Sequence, residues 1–178
     1  MNLPKPFKNR VREFEPLHAH AHLRIGGQAR YWYEPKDKGE LVRFLITAHL
    51  SLPFFVIGAG SNLLLKDGLI HRVFIHLKSP DFNSIKIKGM RVTVGAGVRL
   101  SRLISVLKTK NLGGYEFLAG IPGTVGGALA MNAGAKLDAV LLSSQREMKD
   151  ITSEVEVLDK NGKIRWLKKN DLKFSYRN

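Results

Sequence analysis

Apolar positions along this chain recur at two periods, and the two periods divide it into helices and strands. Leu41, Phe44, Leu45 and Ala48 fall at i, i+3, i+4 and i+7, one face of an amphipathic helix. Asp37 with Glu40 three residues on supplies its start signal, a side-chain acceptor followed by an acid. Leu100, Leu103, Ile104 and Leu107 predict a second helix, closed near Gly113-Gly114. Elsewhere the period is two. Val73, Ile75 and Leu77 alternate with Phe74 and His76, predicting a strand buried on at least one face. Ala29–Tyr33 is β-prone and follows the break at Gly26-Gly27, and the short apolar run from Pro53 to Ile57 leads straight into Gly58. Ile85–Lys88 and Arg91–Val94 around Gly89 predict a hairpin with one polar face. Val155–Leu158 and Ile164–Leu167 flank Asn161-Gly162, the signal of a type I′ hairpin. Strands outnumber helices, and hairpins are mixed with helix crossovers, so the expected class is α+β. Residues 1–16, rich in proline and charge, read as a loosely attached arm.

Length and composition narrow this picture. At 178 residues the chain is one domain or two small lobes, and 44% hydrophobic with 25% charged residues is ordinary for a globular protein. No apolar run approaches the roughly 18 residues of a membrane span, and no apolar segment follows the basic N-terminus as a secretory signal requires. The absence of cysteine excludes disulfides, thiolate metal sites and cysteine nucleophiles, and suits a cytoplasmic address. The formal charge of +14 favours anionic ligands. The basic residues are nevertheless spread out, and no block of five occurs, so a dedicated nucleic-acid surface is disfavoured.

Two segments carry candidate chemistry. Gly58-Ala59-Gly60-Ser61-Asn62 follows a predicted strand. Glycines there let successive backbone N–H groups point into one concavity, and Ser61 and Asn62 add side-chain donors. On spacing alone this is either a phosphate nest or a tight turn. It is not a dinucleotide fingerprint of the G-x-G-x-x-G kind, because Leu63 occupies the third glycine position; nor is there a Gly-Lys-Ser/Thr ending. The second segment is Gly120-Ile121-Pro122-Gly123-Thr124-Val125-Gly126-Gly127-Ala128. Its glycines allow a ligand to lie against bare backbone, and Val125–Met131 reads as a short buried helix whose start, with Thr124, faces an anion. A glycine-packed buried helix is the competing explanation.

In these segments the sequence resembles the UDP-N-acetylenolpyruvoylglucosamine reductase (MurB) family. The resemblance rests on Ile57–Gly68 (IGAGSNLLLKDG) and Glu116–Ala135 (EFLAGIPGTVGGALAMNAGA), with Arg24–Tyr31 similar to that family's Gly-Gly-x-Ala signature and Asp171–Arg177 to its Phe-x-Tyr-Arg segment. It spans roughly residues 17–178 in the correct order. It implies a two-lobed FAD-binding domain of the vanillyl-alcohol-oxidase (PCMH) type, with lobes over about 17–79 and 80–178, and FAD held noncovalently. NADPH would reduce the flavin, and hydride would pass to the enolpyruvyl group of a UDP-sugar, giving UDP-N-acetylmuramate for peptidoglycan. Matching positions imply cofactor contacts from Ile57, Gly58, Ala59, Gly60, Ser61 and Asn62, from Gly120, Ile121, Pro122, Gly123, Thr124, Gly126 and Gly127, and from Asn132. Tyr176 and Arg177 would meet the substrate, with Arg177 catalytic, its planar fork polarising the enolpyruvyl carboxylate.

The family continues beyond the Tyr-Arg pair with a further serine and a substrate-binding domain that supplies a proton-donating serine and an assisting glutamate. In this sequence neither is assigned, and the expectation is a chain without that domain, whose partner could be a separate chain; the alternative is a degenerate flavin- or nucleotide-binding protein without reductase turnover. Ser143, Ser144 and Ser175 lie in the wrong context for the role, and Lys136–Ile151 is longer than the family's usual connection. His18, His20 and His22 would share one face of a strand, but no acid interleaves them, so no metal site is expected. Tyr31, Trp32 and Tyr33 are expected to pack a lobe, and Glu147 and Asp150 to be solvated charge.

Overall fold

The structure, a computed structural model, describes residues 7, 10–48, 53–136, 145–159 and 161–174. A four-stranded sheet forms the N-terminal part. It contains β1 (Val11–Pro16), β2 (Gln28–Tyr33), β3 (Phe54–Ile57) and β4 (Leu69–His76), ordered β1-β2-β4-β3. β2 and β3 both run parallel to β4, while β1 is antiparallel to β2. Parallel strands need crossovers, and α1 (Lys38–Ala48) carries the chain from β2 to β3, on opposite sides of β4. The Asp37 carboxylate accepts the Glu40 N–H at 2.7 Å, so the predicted start signal is made.

Both faces of this sheet are covered. Tyr31, Tyr33, Val73 and Ile75 pack against Leu41, Phe44 and Leu45 of α1. Leu17, Ala29, Trp32, Ile57 and Phe74 form a second layer on the opposite face. The three aromatics Tyr31, Trp32 and Tyr33 are therefore core residues, divided between the two layers.

The strand Val11–Pro16 corrects the expectation of a loose arm. Its charges serve an edge strand, where they discourage pairing with other chains: Arg12 meets Glu15 and Glu34 at 3.2 and 3.6 Å, and Glu13 meets Arg30 at 3.1 Å. The histidines do not lie on a strand either. Leu17–Ala19 is a turn of 3₁₀-helix, and the His20 ring stacks on Trp32 with centroids 3.8 Å apart.

Charges around Trp32 give a testable pH dependence. Burial pushes the Glu34 carboxyl up. Hydrogen bonds from His76 and Trp32, and the Arg12 charge, outweigh it and hold that carboxyl below the usual glutamate range. A folded-state pKa below the unfolded value contributes stability that is present above the unfolded pKa and lost as pH falls through the folded one. Glu34→Gln is therefore expected to flatten the fall in melting temperature between about pH 5 and pH 3, by a few degrees, in pH-dependent thermal denaturation.

The C-terminal part is built on a separate core. The hairpin β5 (Ile85–Lys88) and β6 (Arg91–Val94) precedes α2 (Leu100–Thr109) and α3 (Val125–Ala130). β7 (Gly134–Lys136) pairs with β8 (Gln145–Glu147), α4 (Met148–Ile151) follows, and β9 (Glu154–Leu158) pairs with β10 (Ile164–Lys168). Val98, Leu100, Leu103, Leu107, Phe117, Leu118 and Met148 form this core, whereas Leu158 of β9 packs against the core between α1 and the four-stranded sheet.

Two boundaries differ from the sequence reading. α2 closes before Gly113: Asn111 takes a left-handed φ of 52°, while the amides of Asn111 and Leu112 return to the carbonyls of Lys108 and Leu107. That is a Schellman closure in which asparagine, tolerant of this conformation, stands where glycine was expected. In the last hairpin, Gly162 N–H donates to the Asp159 carbonyl and Asp159 N–H to that of Lys163. Gly162 has a positive φ of 78°, and these bonds join Asp159 to Lys163 and Gly162, not the residues directly flanking Asn161-Gly162 as a two-residue type I′ turn would.

Candidate functional site

β3 ends at Ile57, and the chain turns at once into Gly58–Asn62 at the carboxyl end of the parallel strands. That is where open sheets with crossover helices place ligands. Two contacts shape this loop. Gly58 lies against Thr124 so closely that a Cβ would overlap the threonine Oγ1. Gly60 takes a φ of 63°, and a Cβ there would run into the His20 carbonyl oxygen. The Gly60 carbonyl in turn accepts the His22 N–H at 3.1 Å.

The second glycine segment crosses over this loop. The Ser61 hydroxyl donates to the Pro122 carbonyl at 2.7 Å, joining residues 61 positions apart in sequence. Thr124 caps α3, its Oγ1 accepting the Gly127 N–H at 3.3 Å. The second loop is itself pinned to the short segment just before α2. Arg99 and Thr124 form an isolated antiparallel bridge, with Leu100 N–H donating to the Gly123 carbonyl and Val125 N–H to that of Val98.

Between the loops lies a cleft of about 360 Å³. Gly58, Ala59, Gly60, Ser61, Asn62, Ile121, Pro122, Gly123, Thr124 and Gly127 all line it. Four expected positions lie elsewhere. Ile57 is buried in the sheet core beneath the loop, and Gly120 faces an adjoining groove. Gly126 packs on Ala96, its N–H bonded to the Ala96 carbonyl at 2.8 Å. Asn132 is 1% exposed, and both ends of its amide are engaged: Nδ2 donates to Glu147 Oε2 at 2.7 Å, and Oδ1 accepts the Lys149 N–H at 3.0 Å. Glu147 is thus a buried acceptor that caps α4 together with Asp150, which corrects its reading as solvated charge. Tyr176, Arg177 and Ser175 lie outside the described residues, as do Ser143 and Ser144.

Phe55, Val56, Leu63, Leu100 and Met131 complete the walls. Sequence reasoning did not pick them out, because they appear as ordinary members of a strand or of a helix face. Among the described residues, no charged side chain lines the cleft. Among the described residues, the amides of residues 59–62 donate to no protein acceptor, which leaves them available to a ligand. Backbone donors between apolar walls suit a ligand that joins a phosphate to an apolar or aromatic group.

The FAD binding domain family matches residues 29–168. The chain belongs to that family. It is 40% identical over 171 residues to UDP-N-acetylenolpyruvoylglucosamine reductase from Clostridioides difficile, covering 96% of this chain and 53% of that protein. The reductase of the same name from Thermotoga sp. is 42% identical over 167 residues, covering 94% and 52% respectively. The chain therefore spans about half the length of the curated relatives it matches. Among solved structures, the reductase from Thermus caldophilus superposes with a TM-score of 0.75 at 31% identity, covering 94% of this chain and 55% of that one. Cholesterol oxidase from Brevibacterium sterolicum reaches 0.66 at 20% identity, covering 96% and 36%, a likeness of fold alone. The fold is the expected α+β FAD-binding one of the vanillyl-alcohol-oxidase type.

Proposed function

We propose that this chain is the flavin-binding part of a reductase acting on UDP-N-acetylenolpyruvoylglucosamine, with NADPH as reductant and UDP-N-acetylmuramate as product, in cytoplasmic peptidoglycan synthesis that supports cell-wall growth and division. The observation that carries the reading is the junction of the two glycine loops. Two loops distant in sequence are tied through Ser61 and Pro122 around one uncharged, amide-rich cleft. A cradle closed this tightly by bare backbone is suited to the diphosphate of a dinucleotide. FAD, when bound, supplies the hydride chemistry; the chain's own residues bind and orient it.

Gly58 to Asn62 and Ile121 to Thr124, with Gly127, are proposed as the contacting positions. Ile57, Gly126 and Asn132 support them from beneath, and Gly120 borders the adjoining groove. The two lobes are proposed to divide near residue 79, one core on each side. Tyr176 and Arg177 are proposed to reach the substrate, and a further domain or separate chain to supply the proton-donating serine and glutamate.

The test is reconstitution. The purified chain is expected to take up FAD to one equivalent, turn yellow, and release intact FAD on denaturation. A chain that takes up no added FAD would overturn the proposal. By itself the chain is expected to show little NADPH oxidation coupled to the UDP-sugar, because it spans about half the length of the reductases it matches. Robust turnover would refute that division of labour.

A further inference from the structure

A second groove, of about 500 Å³, adjoins the first along the same two loops. It shares Ala59, Ser61 and Ile121–Gly123 with the first cleft, but its chemistry differs. Arg99, Ser101 and His22 line it, and among the described residues no aspartate or glutamate does. Arg99 makes no ion pair or hydrogen bond through its side chain among the described residues, whereas Arg12, Arg30, Arg91 and Arg165 each meet a carboxylate. Its main chain is fixed all the same, through the bridge to Thr124 and the bond from Leu100 to Gly123. Arg99 is exposed, and this bridge sets its backbone beside the second glycine loop.

We propose that Arg99, with the Ser101 hydroxyl, forms a phosphate subsite continuous with the glycine cradle. The amides of residues 59–62 bind an anion without neutralising it. Among the described residues the first cleft contributes no cation, and Arg99 brings one to the groove that adjoins it. A guanidinium donates two parallel hydrogen bonds to phosphate oxygens, and its charge screens the repulsion between adjacent phosphates. Ile104, Leu118 and Ile121 give the same groove an apolar side, so its ligand class is a nucleoside phosphate rather than free phosphate alone. The phosphate belongs either to the flavin dinucleotide or to a second nucleotide beside it. The first of these sources rests on the flavin reading, whereas the subsite itself does not.

The experiment is calorimetric titration of ADP into the flavin-free chain and its variants, then titration of FAD, then of ADP into FAD-loaded protein. Arg99→Gln is expected to weaken ADP binding about tenfold, and Arg99→Lys by less, since lysine keeps the charge but not the fork. Lys108→Gln removes the same charge from the exposed side of α2 and is expected to leave ADP affinity unchanged. If Arg99→Gln weakens FAD by the same factor as ADP, the subsite holds the phosphate of the flavin dinucleotide. If FAD is unaffected while ADP binding to the loaded protein falls, the subsite holds a second nucleotide. Equal ADP affinity in the unmutated chain and Arg99→Gln, equal losses in Arg99→Gln and Lys108→Gln, or no ADP binding at all would each overturn the subsite. A chain that binds ADP through Arg99 but takes no FAD would sink the flavin reading and leave the subsite standing.

Discussion

Gly60→Ala is expected to weaken FAD binding about 100-fold, which corresponds to about 3 kcal/mol. Two costs combine at this position. The φ of 63° is one that an L side chain adopts at a cost of about 1 kcal/mol or more. The larger cost is steric, because the new methyl group would meet the His20 carbonyl oxygen and lie 3.0 Å from the Ala21 Cα. That segment cannot easily retreat. The His20 ring is stacked on buried Trp32 and bonded to Glu15 at 2.7 Å, and the His22 amide holds the Gly60 carbonyl. The loop must yield instead, and the direction open to it is into the cleft, where its amides lose their alignment with the ligand. Gly120→Ala is the informative companion. Its φ of 81° carries the same conformational cost, yet no atom stands within 4 Å of the added methyl, so a much smaller loss is expected. Calorimetric FAD titration with melting curves of the apo proteins measures both. Gly60→Ala retaining affinity within about threefold of the unmutated chain would mean the loop is not held from below as described.

The contrast between these two glycines marks what the sequence could reveal. Glycine density located both loops, and their order with the flanking motifs pointed to the family. Local periodicity also placed α1, the β5–β6 hairpin and the strand entering Gly58. What stayed hidden depends on partners far away in sequence. Val11–Pro16 reads as an arm because its charges look solvated, until β2 lies alongside and turns them into an edge strand. Arg99 looks like any surface arginine ahead of a helix; its place beside the second glycine loop follows from a bridge to Thr124 that no periodicity encodes. The metal-like spacing of His18, His20 and His22 dissolves for a similar reason. Leu17 is fully buried, which draws the chain into a 3₁₀ turn, and each histidine then faces its own surroundings.

Asn132 shows the same limit in the opposite direction, since a cofactor role was expected and a buried network is what surrounds it. Asn132→Asp tests that network. It is expected to cost about 3 kcal/mol near pH 8, the scale of a buried hydrogen bond replaced by an unfavourable charge pair. At about 2–4 °C per kcal/mol, the apo protein should melt some 6–12 °C lower. The substitution preserves shape, and aspartate tolerates the φ of 42° much as asparagine does, so the backbone is not the cause. The change instead sets one carboxylate at hydrogen-bond distance from another, at a site where Glu147 has only 8% of its surface exposed. Two such groups cannot both ionise readily, which raises the folded-state pKa of the pair above the unfolded values near 4. A raised folded pKa contributes stability that is present below the unfolded pKa and lost as pH rises through the folded one. The deficit should therefore shrink when the same comparison is made near pH 5, where the pair can share a proton. If Asn132 acted only by touching a ligand, the apo melting temperature would be unmoved at either pH, and the effect would appear in FAD affinity alone. Melting curves of the flavin-free proteins at the two pH values decide between a buried brace under the cradle and a direct contact with what the cradle holds.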